Sequence, residues 1–316
     1  MIKGFKITGK EILKDLNNYR ETYHDKGKYL GFSNIDEHYS MQLGNVTDWT
    51  GYPMSGKTQV LMEILLNTSK FYGWKHLLYL PDVGNPTEII ADLLHKLTGK
   101  SFDNTYENFI EEHEIIRELD WILEHFKVLT KEDVKAKMTP FEFYDLAASM
   151  KNEIQTANVD SWKDLSHPYD KFGGYATYLE VVLPYRNQIA EDNNIHINTI
   201  IHPKLTEKVN GVRKAPSPYD LKGGSEWFNS GKCMITVHRE SKDDNLAEIH
   251  FNKIKPRSIG KIGKIELRFD LNKFVYYIDD NEERIYAAPK GKEKKEVVRS
   301  NPLPFNNNFD YEEAPF

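Results

Sequence analysis

Gly51-Tyr52-Pro53-Met54-Ser55-Gly56-Lys57-Thr58 is the stretch on which the reading of this chain turns. It has the form G-x-x-x-x-G-K-T, the Walker A phosphate-binding pattern. Its glycines let the backbone wrap closely around phosphates, so that successive N–H groups and the N-terminus of the next helix face the anion. Lys57 is placed to reach the β- and γ-phosphates of ATP, and the Thr58 hydroxyl to ligate Mg²⁺. Gly51, Ser55, Gly56, Lys57 and Thr58 are therefore the expected nucleotide contacts. By average composition, such a string turns up by chance in a chain of this length about once in a hundred.

The surroundings suit a strand–loop–helix unit. Val46, Asp48 and Thr50 alternate on a short strand before the loop, and a helix runs from about Lys57 to Tyr72 after it. His76-Leu77-Leu78-Tyr79-Leu80 reads as a buried strand, and 86–97 as a helix closed by Gly99. Further along come a strand at 154–159, a helix at 178–192 and a strand at 195–201. Strands alternating with helices imply an α/β fold with a mostly parallel central sheet. Residues 103–150 are charged and read as a helical insertion, with Phe109, Ile116, Leu119, Ile122, Leu123 and Phe126 as one apolar stripe. Stretches 233–239 and 246–278 alternate apolar with polar and read as antiparallel strands. Ile12, Leu16, Tyr19 and Tyr23 mark an amphipathic helix over 10–24. The expected organisation is a linker helix in 1–30, an ATPase domain in 31–286 and a flexible tail in 287–316.

Composition sets outer limits. The chain has 316 residues, 39% hydrophobic and 28% charged, enough for a large core under a solvated surface. A formal charge of −6 argues against a surface coated in nucleic acid but leaves room for a local basic channel. One cysteine, Cys233, excludes an internal disulfide and fits a reducing cytoplasm. No run of 18 apolar residues reads as a membrane span, and the first residues lack a signal peptide's apolar stretch.

Several fragments in order carry a more specific resemblance. They are Gly31-Phe32-Ser33-Asn34-Ile35-Asp36 with Leu43-Gly44; Gly73-Trp74; His202-Pro203-Lys204; Gly224-Ser225-Glu226-Trp227; and Lys253-Ile254-Lys255 with Ile259-Gly260-Lys261-Ile262-Gly263. Over roughly residues 30–278 the chain resembles the motor domain of DnaB- and Twinkle-type ring helicases, a RecA-like P-loop core with a C-terminal antiparallel hairpin. The resemblance implies ATP-driven translocation of a hexameric ring on single-stranded DNA in phage DNA replication, in the host cytoplasm. It also implies roles for particular residues. Asp82 stands where most relatives carry Glu to polarise the attacking water, and is one methylene shorter. Asp160 matches the Mg²⁺-holding aspartate at the end of the 154–159 strand, with Asp164 as the alternative. His202 matches the γ-phosphate sensor; a core histidine at a strand end is its plainer reading. Lys253 and Lys255 match a Lys-x-Arg pair that completes the neighbouring subunit's site, and Arg257 takes the finger role if the hairpin is shifted by two.

The loop 203–222 carries Lys204, Lys208, Arg213 and Lys214 as candidate DNA contacts. The loop 161–174 offers Lys163 and Lys171 beside Trp162, Tyr169 and Phe172. Residues 301–316 hold no basic residue and end in Pro315-Phe316, which suits either a peptide docking on a replication partner through Phe316 or a solubilising tail. Two other functions stay open: an ATP-binding assembly factor with weak turnover, favoured by Asp82, Lys255 and the polar 154–159 strand, and a DNA-coating recombinase.

Overall fold

The computed structural model describes residues 12–14, 16–17, 20, 26–130, 138–206, 213–241, 245–281, 283–292 and 295–297. Its frame is one eleven-stranded sheet. The strands are β1 Val46–Thr50, β2 His76–Tyr79, β3 Phe126–Val128, β4 Thr156–Asp160, β5 His196–Ile201, β6 Cys233–His238, β7 Leu246–Lys253, β8 Gly263–Asp270, β9 Val275–Asp280, β10 Glu283–Tyr286 and β11 Lys295–Val297. Their order across the sheet is β11-β10-β9-β8-β7-β6-β1-β5-β4-β2-β3. From β3 to β6 every pairing is parallel, and from β6 to β11 every pairing is antiparallel. This is the mixed α/β RecA-like core that the alternating pattern implied.

The main helices are α1 Lys57–Tyr72, α2 Pro86–Thr98, α3 Glu112–His125, α4 Pro140–Ser149, α5 Tyr175–Asn193 and α6 Gly224–Ser230. Local chemistry sets their ends. Asn85 caps α2 and Glu88 bonds back to the Asn85 N–H, with Pro86 at the first turn, where a missing N–H costs nothing. Gly73 and Gly99 stop α1 and α2 in the left-handed conformation.

Two cores cover the two faces of the sheet, because successive strand residues point to opposite sides. Leu78, Trp49, Ile200 and Ile235 pack with α1 and α2 on one face. Leu77, Tyr79, Val159, Ile197 and Met234 pack with α4, α5 and α6 on the other.

The polar β4 is explained by its neighbours. Asn198 donates to Asn158 (2.8 Å), Trp49 Nε1 donates to Asn198 Oδ1 (3.0 Å), and Asn158 Nδ2 donates to the Leu77 carbonyl (2.9 Å). Buried side chains that satisfy one another across four strands escape the desolvation cost of lone polar groups. Beside them Arg186 of α5 forks onto Asp48 at 2.5 and 3.2 Å, with both side chains at most 1% exposed.

Three expectations change. β6 joins the parallel half beside β1 before the antiparallel strands begin. The stretch 103–150 is not purely helical: Phe126–Val128 adds a parallel edge strand to β2. Its apolar stripe also divides, with Ile122 and Phe126 buried while Ile116 and Leu123 are 65% and 50% exposed. A stripe wider than the contact it covers cannot be apportioned from periodicity alone. At the start of the expected tail, Lys295–Val297 pairs with β10, and Ala288 N–H donates to the Gly31 carbonyl. The helix expected over 10–24 and the segment ending at Phe316 lie mostly or wholly outside the described residues.

Candidate active site

The Gly51–Thr58 loop leaves the C-terminal end of β1 and enters α1. Two of its positions require glycine. Gly51 has φ 154°, and a Cβ there would collide with the Val237 carbonyl. Gly56 has φ 89°, and a Cβ would lie 2.5 Å from the Tyr276 hydroxyl. Lys57 is buried and donates to the Tyr52 carbonyl at 2.9 Å. Burial pulls its pKa below the ordinary lysine value, with Asp160 and Asp82 pulling the other way. Ser55 Oγ is buried without a hydrogen-bond partner.

Parallel topology brings the ends of β1, β2, β4 and β5 to one edge, and the chemistry-bearing side chains meet there. Thr58 Oγ1 donates to Asp160 Oδ2. Asp164 instead accepts from the Ser161 N–H and hydroxyl, so it holds a turn and Asp160 is the carboxylate beside the loop. Burial lifts Asp160 to about 6, against the pull of Thr58 and Lys57. Asp82 receives Lys163 Nζ on Oδ1 at 2.7 Å and faces His202 Nε2 across 3.1 Å on Oδ2. Burial raises Asp82, but these two hydrogen bonds outweigh it and leave the carboxyl below its ordinary range. His202 is lowered, by burial first and by Lys57 next.

Asp82, Asp160 and His202 each offer a ligand atom within 4.8 Å of the others. With Thr58 they supply mostly hard oxygen donors, a set that fits Mg²⁺. The partnerless Ser55 hydroxyl and the cramped Gly51 and Gly56 fit a phosphate held against the loop. These groups line a cleft of about 360 Å³ that also includes Gln59 and Asp92. A larger cavity of about 640 Å³ lies behind α1, around Glu63, Lys70 and Lys96, and holds none of this chemistry.

A smaller cleft of about 70 Å³ adjoins the loop, between Gly56, Gln59, Arg239, Asn245, Phe269 and Tyr276. Tyr276 comes from β9 and Arg239 follows β6, more than 180 residues past the loop. No local motif marks them; only the pairing of the antiparallel strands onto β6 brings them here.

No family model matches the chain. It is 24% identical over 301 residues to the Twinkle homolog protein, chloroplastic/mitochondrial, of Arabidopsis thaliana, a match covering 84% of this chain and 39% of that protein. The chain thus spans about two fifths of that relative's length. Among solved structures, the ATPase domain of a DnaB-like helicase superposes with TM-score 0.69 at 15% identity, covering 86% of this chain and all of that one. A DnaB-like replicative helicase, described with its interactions with primase, gives 0.65 at 15% identity over 87% of this chain and 68% of that one. The fold is that of a DnaB-like helicase ATPase domain. The RadB recombinase is more distant, at TM-score 0.52 and 15% identity over 80% of this chain and 99% of that one. The resemblance to DnaB- and Twinkle-type proteins holds over most of the chain.

In this DnaB-like fold the remaining sequence-derived residues divide. Lys253 is 9% exposed and donates to the Phe228 carbonyl, with its ammonium 4.7 Å from the Phe228 ring centroid. It is tied into its own subunit. Lys255 and Arg257 are exposed, and they preserve the Lys-x-Arg spacing two residues on. The Lys255 carbonyl accepts from Asn45, just ahead of β1, so the pair lies at the opposite end of that strand from the phosphate loop. Five strand residues span roughly 16 Å. Lys204 and Lys214 are exposed, whereas Arg213 donates to the Thr206 carbonyl and stacks over Tyr52 of the phosphate loop at 5.7 Å. Lys208 lies outside the described residues. No helix of the described residues is long and apolar enough to cross a membrane.

Proposed function

We propose that the chain is an ATP-driven DNA motor of the ring-helicase type, hydrolysing Mg²⁺–ATP between adjacent subunits around single-stranded DNA. The observation that carries this reading is the separation of two half-sites. Lys57, Thr58, Asp82, Asp160 and His202 gather at one end of the sheet, and the exposed Lys255-x-Arg257 pair stands at the other. A basic pair that cannot reach its own phosphates can serve a neighbour's in a head-to-tail assembly, and such an assembly closes into a ring when the rotation permits; six subunits is the number the resemblance implies.

Lys57 exchanges the Tyr52 carbonyl for the β- and γ-phosphates, and the backbone of Gly51–Thr58 cradles them. Thr58 and Asp160 would hold Mg²⁺, which neutralises charge on the phosphate oxygens. Asp82 orients the attacking water, and His202 lies within reach of both that carboxylate and the transferred phosphate. Arg239, Phe269 and Tyr276 accept the base by stacking. Lys204 and Lys214 track the DNA backbone. The alternative with a specific observation behind it is a slow ATPase used in assembly, since Asp82 is short and both its oxygens are occupied. Electron microscopy with ATP and single-stranded DNA, paired with a turnover assay, tests the proposal. Closed rings with DNA-stimulated hydrolysis support it, rings without turnover favour the assembly factor, and open filaments favour a recombinase.

A further inference from the structure

We infer that Lys163 is a positioning residue that keeps Asp82 disarmed until a nucleic-acid phosphate draws its ammonium away, an inference that rests on the motor reading above. A carboxylate that orients water needs a free oxygen. Here Oδ1 of Asp82 is taken by Lys163 at 2.7 Å and Oδ2 faces His202 at 3.1 Å. His202 belongs to the nucleotide side of the cleft and stays when ATP binds. Lys163 does not: it sits in the turn Trp162–Asp164, just beyond β4, at the start of the 161–174 loop that also carries Lys171.

The turn itself is fixed, so the release is a side-chain movement. Trp162 is buried and packs edge-on against Trp227 at 5.0 Å, and its carbonyl is 2.7 Å from His167 Nε2. The Lys163 side chain, in contrast, is 54% exposed and has a second carboxylate, Asp164, at 3.3 Å. A DNA phosphate arriving at this loop competes for a lysine that is already accessible, and its loss returns Oδ1 of Asp82 to water. DNA binding and hydrolysis are thereby linked through one ammonium group. An exposed pair of this kind biases a two-state population by about two- to fivefold.

The test is steady-state hydrolysis by the full chain, wild type, Lys163→Met and Lys163→Arg, with and without oligo-dT, and with Lys57→Ala as the background control. The expected result for Lys163→Met is a DNA-free kcat raised about two- to fivefold, an unchanged KM for ATP and a correspondingly smaller stimulation by DNA. Lys163→Arg, which keeps the charge, should restore the low basal rate. An unchanged or lower DNA-free kcat in Lys163→Met, with wild-type stimulation by DNA intact, overturns the inference and leaves the motor reading standing. A wild type that hydrolyses ATP without any response to DNA refutes the motor reading and this inference with it.

Discussion

Replacing Arg186 with Met isolates the ion pair under the phosphate loop. Met keeps most of the arginine stem, so packing against Trp227, whose ring lies 5.5 Å from the guanidinium carbon, is largely preserved. What is lost is the fork onto Asp48, at 2.5 and 3.2 Å, from a carboxylate only 1% exposed. Burial already pushes the Asp48 carboxyl above its ordinary range despite Arg186. Removing the partner leaves that burial unopposed, and a stranded buried charge costs about 3–5 kcal/mol. Urea unfolding followed by fluorescence should show a lower midpoint at constant slope. Because a raised carboxyl pKa favours the protonated native form, the variant should recover part of its loss as pH falls below the raised value. Asp48→Asn combined with Arg186→Met should cost less than the sum of the single changes, since neither charge is then left alone. A loss below about 1 kcal/mol in Arg186→Met would refute the claim that the pair is buried and mutually dependent.

Other outcomes follow from the same geometry. Asp82→Asn should bind ATP normally and turn it over roughly a hundredfold or more slowly, read by nucleotide binding beside steady-state hydrolysis. Arg257→Ala should do the same from the other side of the interface, and mixing it with Lys57→Ala subunits should restore some activity, because each mixed interface can assemble one intact site. Glu63, buried against Lys96 and lifted by burial from 4.5 to about 7, favours the fold when protonated; that contribution is lost as pH rises through 7. Glu63→Gln should therefore gain on wild type by about 2–3 kcal/mol between pH 5 and pH 8 in denaturant titrations.

The parts legible in the sequence are those whose chemistry is local. The phosphate loop, the run His76–Leu80 and the capped helix after Asn85 each carry their own signal within a dozen residues. Asp160 was readable from its place at a strand end, even though Thr156 and Asn158 make that strand look unlike a buried one. Their partners, His76, Leu77 and Asn198, lie on other strands, so the satisfaction of β4 is a property of the sheet. The same limit hid Tyr276 and Arg239, which reach the loop only through strand pairing. It also hid the burial of Lys253: a Lys-x-Lys-x-Arg run offers two pairs with the same spacing, and only the contact with Phe228 separates them. Ile116 and Leu123 matched a helical stripe, but periodicity does not say how wide the covered face is.

The most direct test of the account is hydrolysis of Mg²⁺–ATP by the full chain, with and without single-stranded DNA, beside Lys57→Ala. The account predicts turnover that rises with DNA and disappears in Lys57→Ala, because that lysine is the main positive charge facing the phosphates. Equal turnover in wild type and Lys57→Ala, or no nucleotide binding by the wild type at all, would contradict it.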